Sequence, residues 1–329
     1  MSFAGSLNII EASPLGICMQ LPPTVFRSLF RLLQSTYIQG RTDYQLPEPL
    51  VIEGNSCSFS TSSSIPKVIW TYWSNFNPDS TVIECIATWR IHCSEYDVRV
   101  INPSNIAKYI PDADMPSQFI KLHPTKQADW LRLYLVARYG GFWLDASILL
   151  TQSLEWLRCK LEGKVEFTGF YLQKYTHDIN FPIIESWAFG AIPGSPFIKE
   201  WQREFHEALI VKGPDAYLKK VPYLVSLRQG IEDPNYLLIH IAAQNVLRRQ
   251  KSSTLHLFKA EDTAYFYHRS LHWKWYLLYP QLCLMEYSQR LAPLVKLRGG
   301  ERRHFSALFN WHGDARKGSI WQRALHKKE

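Results

Sequence analysis

The sequence predicts an α/β fold with a mainly parallel, Rossmann-like sheet flanked by helices. Residues 67–73 and 96–102 are rich in β-branched and aromatic residues, and segment 80–93 between them has apolar residues at helical spacing. A strand, a helix and a second strand in close succession form a βαβ unit, whose two strands run parallel. A second helical pattern covers 125–139, and the apolar run 142–150 after it predicts another buried strand.

The composition is that of a folded globular protein with a basic surface. Hydrophobic residues make up 46% and charged residues 20% of the 329 residues, which excludes an extended disordered chain. The net charge of +8 favours an anionic partner: nucleic acid, an anionic membrane or a nucleotide diphosphate. Lysine and arginine are spread along the chain without a recognition motif or a dense basic stripe, so we predict no nucleic-acid partner.

The cysteines and the hydropathy pattern predict a cytoplasmic protein. The 6 cysteines are scattered without a CxxC pair or zinc-like spacing, which indicates reduced core thiols. No apolar run reaches the roughly 18 residues of a spanning helix, and a signal-peptide pattern is lacking. Residues 21–39 have an amphipathic pattern that predicts a helix on the flank of the domain, with peripheral membrane contact as the alternative. The Ser-rich segment 55–64 divides an N-terminal region, 1–64, from one continuous domain, 65–329.

Three charged residues in otherwise apolar segments are candidate site residues. Asp129 and Arg132 are three apart on the helix at 125–139, so they project from neighbouring positions on one face. They suit either an intrahelical ion pair or a clamp for a sugar hydroxyl and a phosphate. Asp145 interrupts the apolar run, where an unpaired carboxylate is costly. At the carboxyl end of a parallel strand it would face a ligand crevice, and a divalent cation or a structural capping role would satisfy it.

Two stretches together resemble a known group of enzymes. IPKVIWTYW at 65–73 and QADWLRLYLVARYGGFWLDASILL at 127–150 resemble the DXD-containing glycosyltransferases of family 32 and the capsular polysaccharide synthesis family. The same pattern occurs in the clostridial glucosylating toxins. The resemblance implies a GT-A fold and transfer of a sugar from a nucleotide diphosphate donor, expected to be UDP-linked, to a hydroxyl acceptor. It also implies retention of anomeric configuration and a divalent cation, Mn²⁺ or Mg²⁺.

The resemblance also implies roles for individual residues. Trp70 would stack on the nucleotide base or lie beside it, and Gly141 would belong to the donor-binding residues. Asp129 and Arg132 would hold the donor sugar and the diphosphate. Asp145 would be the first acid of the DXD motif and would contact the ribose, the sugar or the metal-bound diphosphate.

One position departs from the DXD pattern. Ser147 stands where the second acid, commonly a direct metal ligand, is expected. A hydroxyl is a poor cation ligand compared with a carboxylate, so a metal on Asp145 and Ser147 would bind weakly or would take other ligands. Because capsular-type members often have this Asp-Ala-Ser form, activity is still expected. The alternatives are a catalytically weak nucleotide-sugar-binding protein and a basic nucleic-acid-binding protein.

Three further features follow downstream. Glu185 lies on a predicted strand and would position the acceptor or stabilise the cationic sugar, a surface acid being the alternative. His240 and Gln244 are four apart on a predicted helix, where a hydrogen-bonded core pair is the preferred interpretation. Ser319 and Trp321 repeat the Ser-x-Trp spacing with which the glucosylating toxins grip the diphosphate and metal, so they are further donor-binding candidates.

Overall fold

The computed structural model describes residues 43–54, 64–158, 165–222, 224–249 and 254–326. The predicted helix at 21–39 lies outside these residues, as does most of the Ser-rich segment. The described chain forms a seven-stranded sheet and a separate two-stranded sheet. The strands are β1 Leu50–Ile52, β2 Val68–Tyr72, β3 Asp97–Ile101, β4 Gly141–Leu144, β5 Ile148–Leu150, β6 Phe167–Tyr171, β7 Ile184–Ala191, β8 Leu255–Lys259 and β9 Leu294–Lys296.

The large sheet has the order β1-β8-β6-β7-β4-β2-β3. Strand β2 lies between β3 and β4 and is parallel to both, and β6 is parallel to β8. Strand β7 is antiparallel to both of its neighbours, and β1 is antiparallel to β8. Five of the seven strands in this order therefore point the same way, which confirms the predicted α/β class with a mainly parallel sheet.

Helices cover the sheet and build most of the last third of the chain. Three short 3₁₀ turns lie between β3 and the second helix. The α-helices are α1 Ser80–His92, α2 Pro124–Tyr139, α3 Glu155–Arg158, α4 Pro196–His206, α5 Pro214–Lys220, α6 Leu224–Arg228, α7 Leu238–Arg249, α8 Phe266–Ser270, α9 Trp275–Tyr279, α10 Gly299–His312 and α11 Ile320–Leu325.

The predicted βαβ unit is present as β2, α1 and β3. Helix α1 begins at Ser80 and is capped by Asp79, whose carboxylate accepts the Val82 backbone N–H at 3.1 Å. Its buried side is fixed to the neighbouring small sheet by Trp89, whose Nε1 donates to the Ile148 carbonyl at 2.7 Å. The described cysteines are free and buried, as predicted, and burial raises the pKa of the Cys85 thiol.

Helix α2 is enclosed by the sheet and α4 rather than lying on the surface. Proline starts the helix, and Gly140 ends it at φ 66°, where a Cβ atom would meet Pro193 at 2.7 Å. Both the apolar stripe and the polar positions at its middle are buried, including Asp129 and Arg132. The helix therefore delivers two charged side chains to the interior.

The predicted strand at 142–150 is wrong, because two strands in different sheets occupy this segment. The chain leaves the large sheet after β4 and enters the small sheet at β5, and Asp145, Ala146 and Ser147 form the turn between them. In the small sheet, Ile148 pairs with Lys296 of β9. A segment far along the chain is therefore placed against the turn.

Helix α9 is short, and a π-helical turn, Pro280–Leu284, follows it directly. Helix α7 begins at Leu238 and carries His240 and Gln244. Within the described residues no helix combines the length and the hydropathy needed to cross a membrane.

Candidate active site

The site forms where β2 and β4 end and β7 begins. The register places Trp70 beside Trp143, so Tyr72 at the end of β2 is level with Asp145 after β4. On the other side of β4, the Asp145 backbone N–H donates to the Trp187 carbonyl at 2.8 Å. This is the sheet edge at which open α/β folds bind ligands.

Asp145 is held by donors from three directions. Its Oδ1 accepts from Arg132 Nη2 at 3.1 Å and from Trp143 Nε1 at 3.0 Å, and its Oδ2 accepts from Lys296 Nζ at 3.1 Å. The side chain is still 26% exposed, so the carboxylate borders accessible space. Burial raises the pKa of this carboxyl, but Lys296 and Arg132 outweigh burial and the pKa lies below its usual value. Asp145 is therefore an ionised acceptor at the sheet edge.

Arg132 connects Asp145 to α2 and β7. Its Nη1 donates to the backbone carbonyl of Ser186 at 3.0 Å and to the Ser186 hydroxyl at 2.6 Å, while Nε donates to the Ala128 carbonyl at 3.3 Å. Only 6% of its side chain is exposed, and the guanidinium lies 5.2 Å from the Trp143 ring centre. The structure thus places the predicted phosphate-binding arginine as a positioning residue for Asp145.

Asp129 belongs to the same buried charge network. Its carboxylate lies 3.3 Å from Arg132 Nη1 and 3.6 Å from Lys126 Nζ. Burial raises the pKa of Asp129 even though Arg132 and Lys126 favour the charged form. Asp129 is 5% exposed, so it supports Arg132 from behind rather than offering a carboxylate to a sugar.

Ser147 makes two hydrogen bonds that bear on the predicted metal. Its hydroxyl donates to the Leu297 carbonyl at 3.0 Å and accepts from Lys296 Nζ at 2.8 Å. The same ammonium reaches Asp145, so a lysine bridges the first and third positions of the Asp-Ala-Ser motif. The described residues include no cluster of three or more His, Cys, Asp or Glu able to hold a metal ion. The donor set present here does not fit a divalent cation on Asp145 and Ser147.

Glu185 opens onto a pocket beside the motif. It is 6% exposed and lies on β7, next to the Ser186 that binds Arg132. Burial raises the pKa of Glu185, although His240 and Lys296 counteract it. The pocket is about 270 Å³ and is lined by Leu172, Lys174, Tyr175, Glu185, Glu261, Tyr265, Trp273 and Arg298.

The far wall of this pocket is aromatic and basic. Tyr265 packs against Trp187 and Trp273 with ring centres 5.8 and 5.5 Å apart, and Arg298 lies 5.8 Å from the Trp273 ring. Arg298 follows Lys296 by two residues, so the pocket and the Asp145 network share one segment. A sugar ring with its hydroxyls suits such a wall. A second concavity, about 430 Å³, lies near Gly194 and Lys199, beyond the other end of β7, and is not adjacent to these groups.

Trp70 and Gly141 lie away from this edge. Trp70 is fully buried, donates to the Gly140 carbonyl at 2.9 Å and packs on Tyr139, so no ring face is open to a base. Gly141 starts β4 at φ 92°, and a Cβ atom would meet the Val68 carbonyl oxygen at 2.7 Å. Both residues shape the core at the amino end of β4, which corrects the expectation of donor contact.

Trp73, which sequence reasoning missed, follows β2 on the site edge. It is partly buried, and Arg302 stacks on it with the guanidinium carbon 4.8 Å from the ring centre. Its indole N–H has no acceptor among the described residues. The signal was available, since Trp73 is the last aromatic of the strand motif and the strand ends before it. Because Trp73 is only partly buried whereas Trp70 is fully buried, the ring of Trp73 suits a base better than Trp70 does.

Ser319 and Trp321 are structural. The fully buried Ser319 caps α11 by accepting the Gln322 N–H at 3.2 Å. Trp321 is also fully buried, donates to Glu84 of α1, and packs on Phe305. The expected diphosphate grip is therefore wrong for the chain as it stands here, because neither side chain is accessible.

His240 and Gln244 fix the entry into β7. His240 Nδ1 bonds the Ile184 carbonyl at 2.7 Å, and Gln244 Nε2 donates to the Pro182 carbonyl at 2.6 Å. Burial lowers the pKa of His240. The two are hydrogen-bonded core residues, as preferred, although each bonds the backbone rather than its neighbour. Their effect is to hold Glu185 in place.

A family model matches part of the chain. Residues 46–209 match the family model described as capsular polysaccharide synthesis protein. Over this segment the chain is similar to that family. The family segment contains β2, α2, Asp145 and Glu185, so the predicted relationship to the capsular-type glycosyltransferases is confirmed. Lys296 and the aromatic wall of the pocket lie beyond it. No curated protein matches the chain.

Solved structures with some likeness to the chain are glycosyltransferases. The PaToxG glycosyltransferase has 14% identity over 56% of this chain and 79% of its own, with a TM-score of 0.34. An active-site mutant of LgtC has 11% identity over 75% and 99%, with a TM-score of 0.37. The galactosyltransferase LgtC with donor and acceptor sugar analogues has 12% identity over 75% and 95%, with a TM-score of 0.35. These likenesses are weak.

Proposed function

We propose that the protein transfers a sugar from a nucleotide diphosphate donor, expected to be UDP-linked, to a hydroxyl acceptor with retention of configuration. The observation that carries the proposal is the partly exposed Asp145 carboxylate, held by Arg132, Trp143 and Lys296 beside a polar and aromatic pocket at the ligand edge of the sheet. The family match and the resemblance of the Asp-Ala-Ser motif support the same reaction class. The free, buried thiols of Cys85, Cys93 and Cys283 fit a cytoplasmic location.

The residues suggest a division of labour in this reaction. Asp145 accepts hydrogen bonds from the donor sugar or ribose on its exposed side, and Arg132 keeps it in place. In the transfer, the bond from the anomeric carbon to the phosphate oxygen breaks and its electron pair stays on that oxygen. The acceptor oxygen bonds to the anomeric carbon, and its proton goes to the departing phosphate. Glu185, at the pocket wall, orients the acceptor or balances the positive charge that develops on the sugar.

A panel of nucleotide sugars tests the proposal. We expect one donor to bind and to release its nucleoside diphosphate slowly without acceptor, and Asp145→Ala to reduce that release by about 100-fold or more. The measurement is product formation by chromatography, run both with Mn²⁺ and with a chelator. A wild-type protein that binds no donor under either condition contradicts the proposed function.

A catalytically weak nucleotide-sugar-binding protein is the second candidate. One observation favours it: the position of the second acid is taken by Ser147, whose hydroxyl is hydrogen-bonded to Lys296 and to the Leu297 carbonyl. For this candidate we expect donor binding in calorimetry with no turnover on any acceptor, and no loss of affinity in Glu185→Gln. Turnover that depends on Glu185 decides for the transferase.

A further inference from the structure

The ammonium group of Lys296 lies where the Asp-Ala-Ser motif would hold a cation. Its Nζ is 3.1 Å from Asp145 Oδ2 and 2.8 Å from Ser147 Oγ, both ordinary hydrogen-bond lengths. A divalent cation on these two oxygens would require distances of about 2.0–2.6 Å and several more oxygen ligands. Ser147 also donates its hydroxyl hydrogen to the Leu297 carbonyl, which directs an oxygen lone pair to the lysine.

Three structural features fix Lys296 at this place. It is the last residue of β9, and its partner in the small sheet is Ile148, the residue after Ser147. Its backbone N–H donates to the Ala264 carbonyl at 3.1 Å. Its side chain is 11% exposed, so the ammonium is enclosed but borders open space. A strand position, rather than a flexible loop, therefore sets the location of the charge.

The lysine has a donor left for a ligand. An ammonium carries three N–H groups, and two of them serve Asp145 and Ser147. For the third, the described part of the chain offers no acceptor. A single charge with one free N–H suits an anionic oxygen of a donor diphosphate, since lysine binds phosphate as a compact point charge.

We propose that Lys296 replaces the divalent cation of this site, binding the donor diphosphate and stabilising the departing nucleoside diphosphate without a metal. This rests on the proposed sugar transfer. The electron pair of the broken sugar–phosphate bond stays on the phosphate oxygen next to the ammonium, and the acceptor proton ends on that phosphate.

Metal-stripped wild-type protein gives the first test, which needs no variant to fold. Nucleoside diphosphate release from the best donor of the panel is measured in chelator and in Mn²⁺. We expect the two rates to agree within about twofold. Release that vanishes in chelator and returns with Mn²⁺ overturns the role of Lys296 but leaves the sugar transfer intact. A protein that binds and cleaves no donor under either condition overturns both.

Variants locate the effect on the lysine. We expect Lys296→Met to lose about 100-fold or more in release rate and Mn²⁺ not to restore it, as for loss of one preorganised donor. Lys121→Met is the matched control, an exposed lysine on a 3₁₀ turn, and should behave as wild type. The double variant Asp145→Asn, Lys296→Met removes both charges of the pair, so neither is left buried without its partner and the protein is expected to fold. It should be as inactive as Lys296→Met. A Lys296→Met protein that folds and keeps wild-type release overturns the proposal.

A charge exchange gives the final test. Ser147→Asp combined with Lys296→Ala supplies two carboxylates and vacates the space between them, which is the ligand set of a divalent site. We expect this double variant to bind Mn²⁺ in calorimetry and to release nucleoside diphosphate at least about tenfold faster with Mn²⁺ than without. A double variant that neither binds Mn²⁺ nor responds to it counts against the equivalence of the ammonium and the metal.

Discussion

Arg132 and Asp145 join the buried helix α2 to the ligand edge of the sheet, with Nη2 and Oδ1 3.1 Å apart. The guanidinium also bonds Ser186 on β7, so one side chain fixes the relative position of three elements. Arginine suits this place because its planar fork offers several donors at fixed angles. A lysine at the same position would satisfy only part of the network.

Replacing Arg132 should damage both stability and turnover. We expect Arg132→Met to lower the free energy of unfolding by about 3–5 kcal/mol, because it leaves Asp129 without its closest buried cation. Turnover should fall in parallel as Asp145 loses its orientation. The measurement is urea denaturation with Arg138→Met as control, since that arginine of the same helix is 50% exposed and should cost less than about 1 kcal/mol. Equal stability of the two variants contradicts the network.

The Asp145 carboxyl predicts a stability difference that is lost in acid. Its pKa in the folded protein is below the unfolded value of about 3.9, so folding favours the ionised form. Relative to Asp145→Asn, the wild type should be more stable above about pH 4, and the advantage should disappear as pH falls through the folded pKa. Thermal melts from pH 3 to 7 measure it. A difference that does not depend on pH shows that Asp145 is not held as the anion.

Glu185 predicts the opposite pH dependence. Its pKa is raised by burial, so the folded state disfavours the carboxylate. As pH rises from below about 4.3 through the folded pKa, the wild type should lose stability relative to Glu185→Gln. The variant should therefore melt at a higher temperature near pH 7 while turning over more slowly. Parallel melting and transfer assays check both parts, and a variant that is less stable at pH 7 contradicts them.

Trp273 should contribute to substrate binding more than to folding. It is 38% exposed, has φ 59° and forms one side of the pocket with Tyr265. We expect Trp273→Ala to raise KM by about tenfold, roughly the loss of one stacking contact, with little change in melting temperature. Tyr236→Ala, at a 60% exposed aromatic that does not line the pocket, is the control. An unchanged KM removes Trp273 from the binding surface.

A substitution at Ser319 distinguishes the donor-binding role predicted from the sequence from the helix-capping role seen in the structure. Because its hydroxyl caps α11, Ser319→Ala should lower stability by about 1 kcal/mol and leave kcat/KM unchanged. Denaturation and steady-state kinetics on the same preparation distinguish the two. A fall in kcat/KM of more than about tenfold at unchanged stability would return Ser319 to the donor site.

The local patterns predicted the fold because they depend only on neighbouring residues. The βαβ unit and helix α2 follow from periodicity and from the glycines that end the helix. The turn at Asp145 was hidden because a continuous apolar run gives no sign of a change of sheet. Trp70 was chosen over Trp73 as the base-binding residue for a similar reason. The sequence did not show that the strand ends at Tyr72, which leaves Trp70 buried inside the sheet and Trp73 just beyond its end.

Lys296 was missed although a known rule applied to it. The run LAPLVKLRGG places one lysine among apolar residues, the same anomaly that identified Asp145. Neither Asp145 nor Lys296 has a partner of opposite charge in its own apolar segment, and in the folded protein the two side chains pair with each other. Pairing isolated charges of opposite sign across apolar strands would have predicted their contact.

The sequence distance between Asp145 and Lys296 has a consequence for the order of assembly. These partners are 151 positions apart, so their contact closes one of the longer loops in the chain and depends on the small sheet of β5 and β9. During synthesis, β2, α2 and β4 emerge long before β9, and Asp145 has only Arg132 as a cation until then. Substrate competence should therefore arrive last during biogenesis and should be the first property lost when the C-terminal third is cleaved or destabilised.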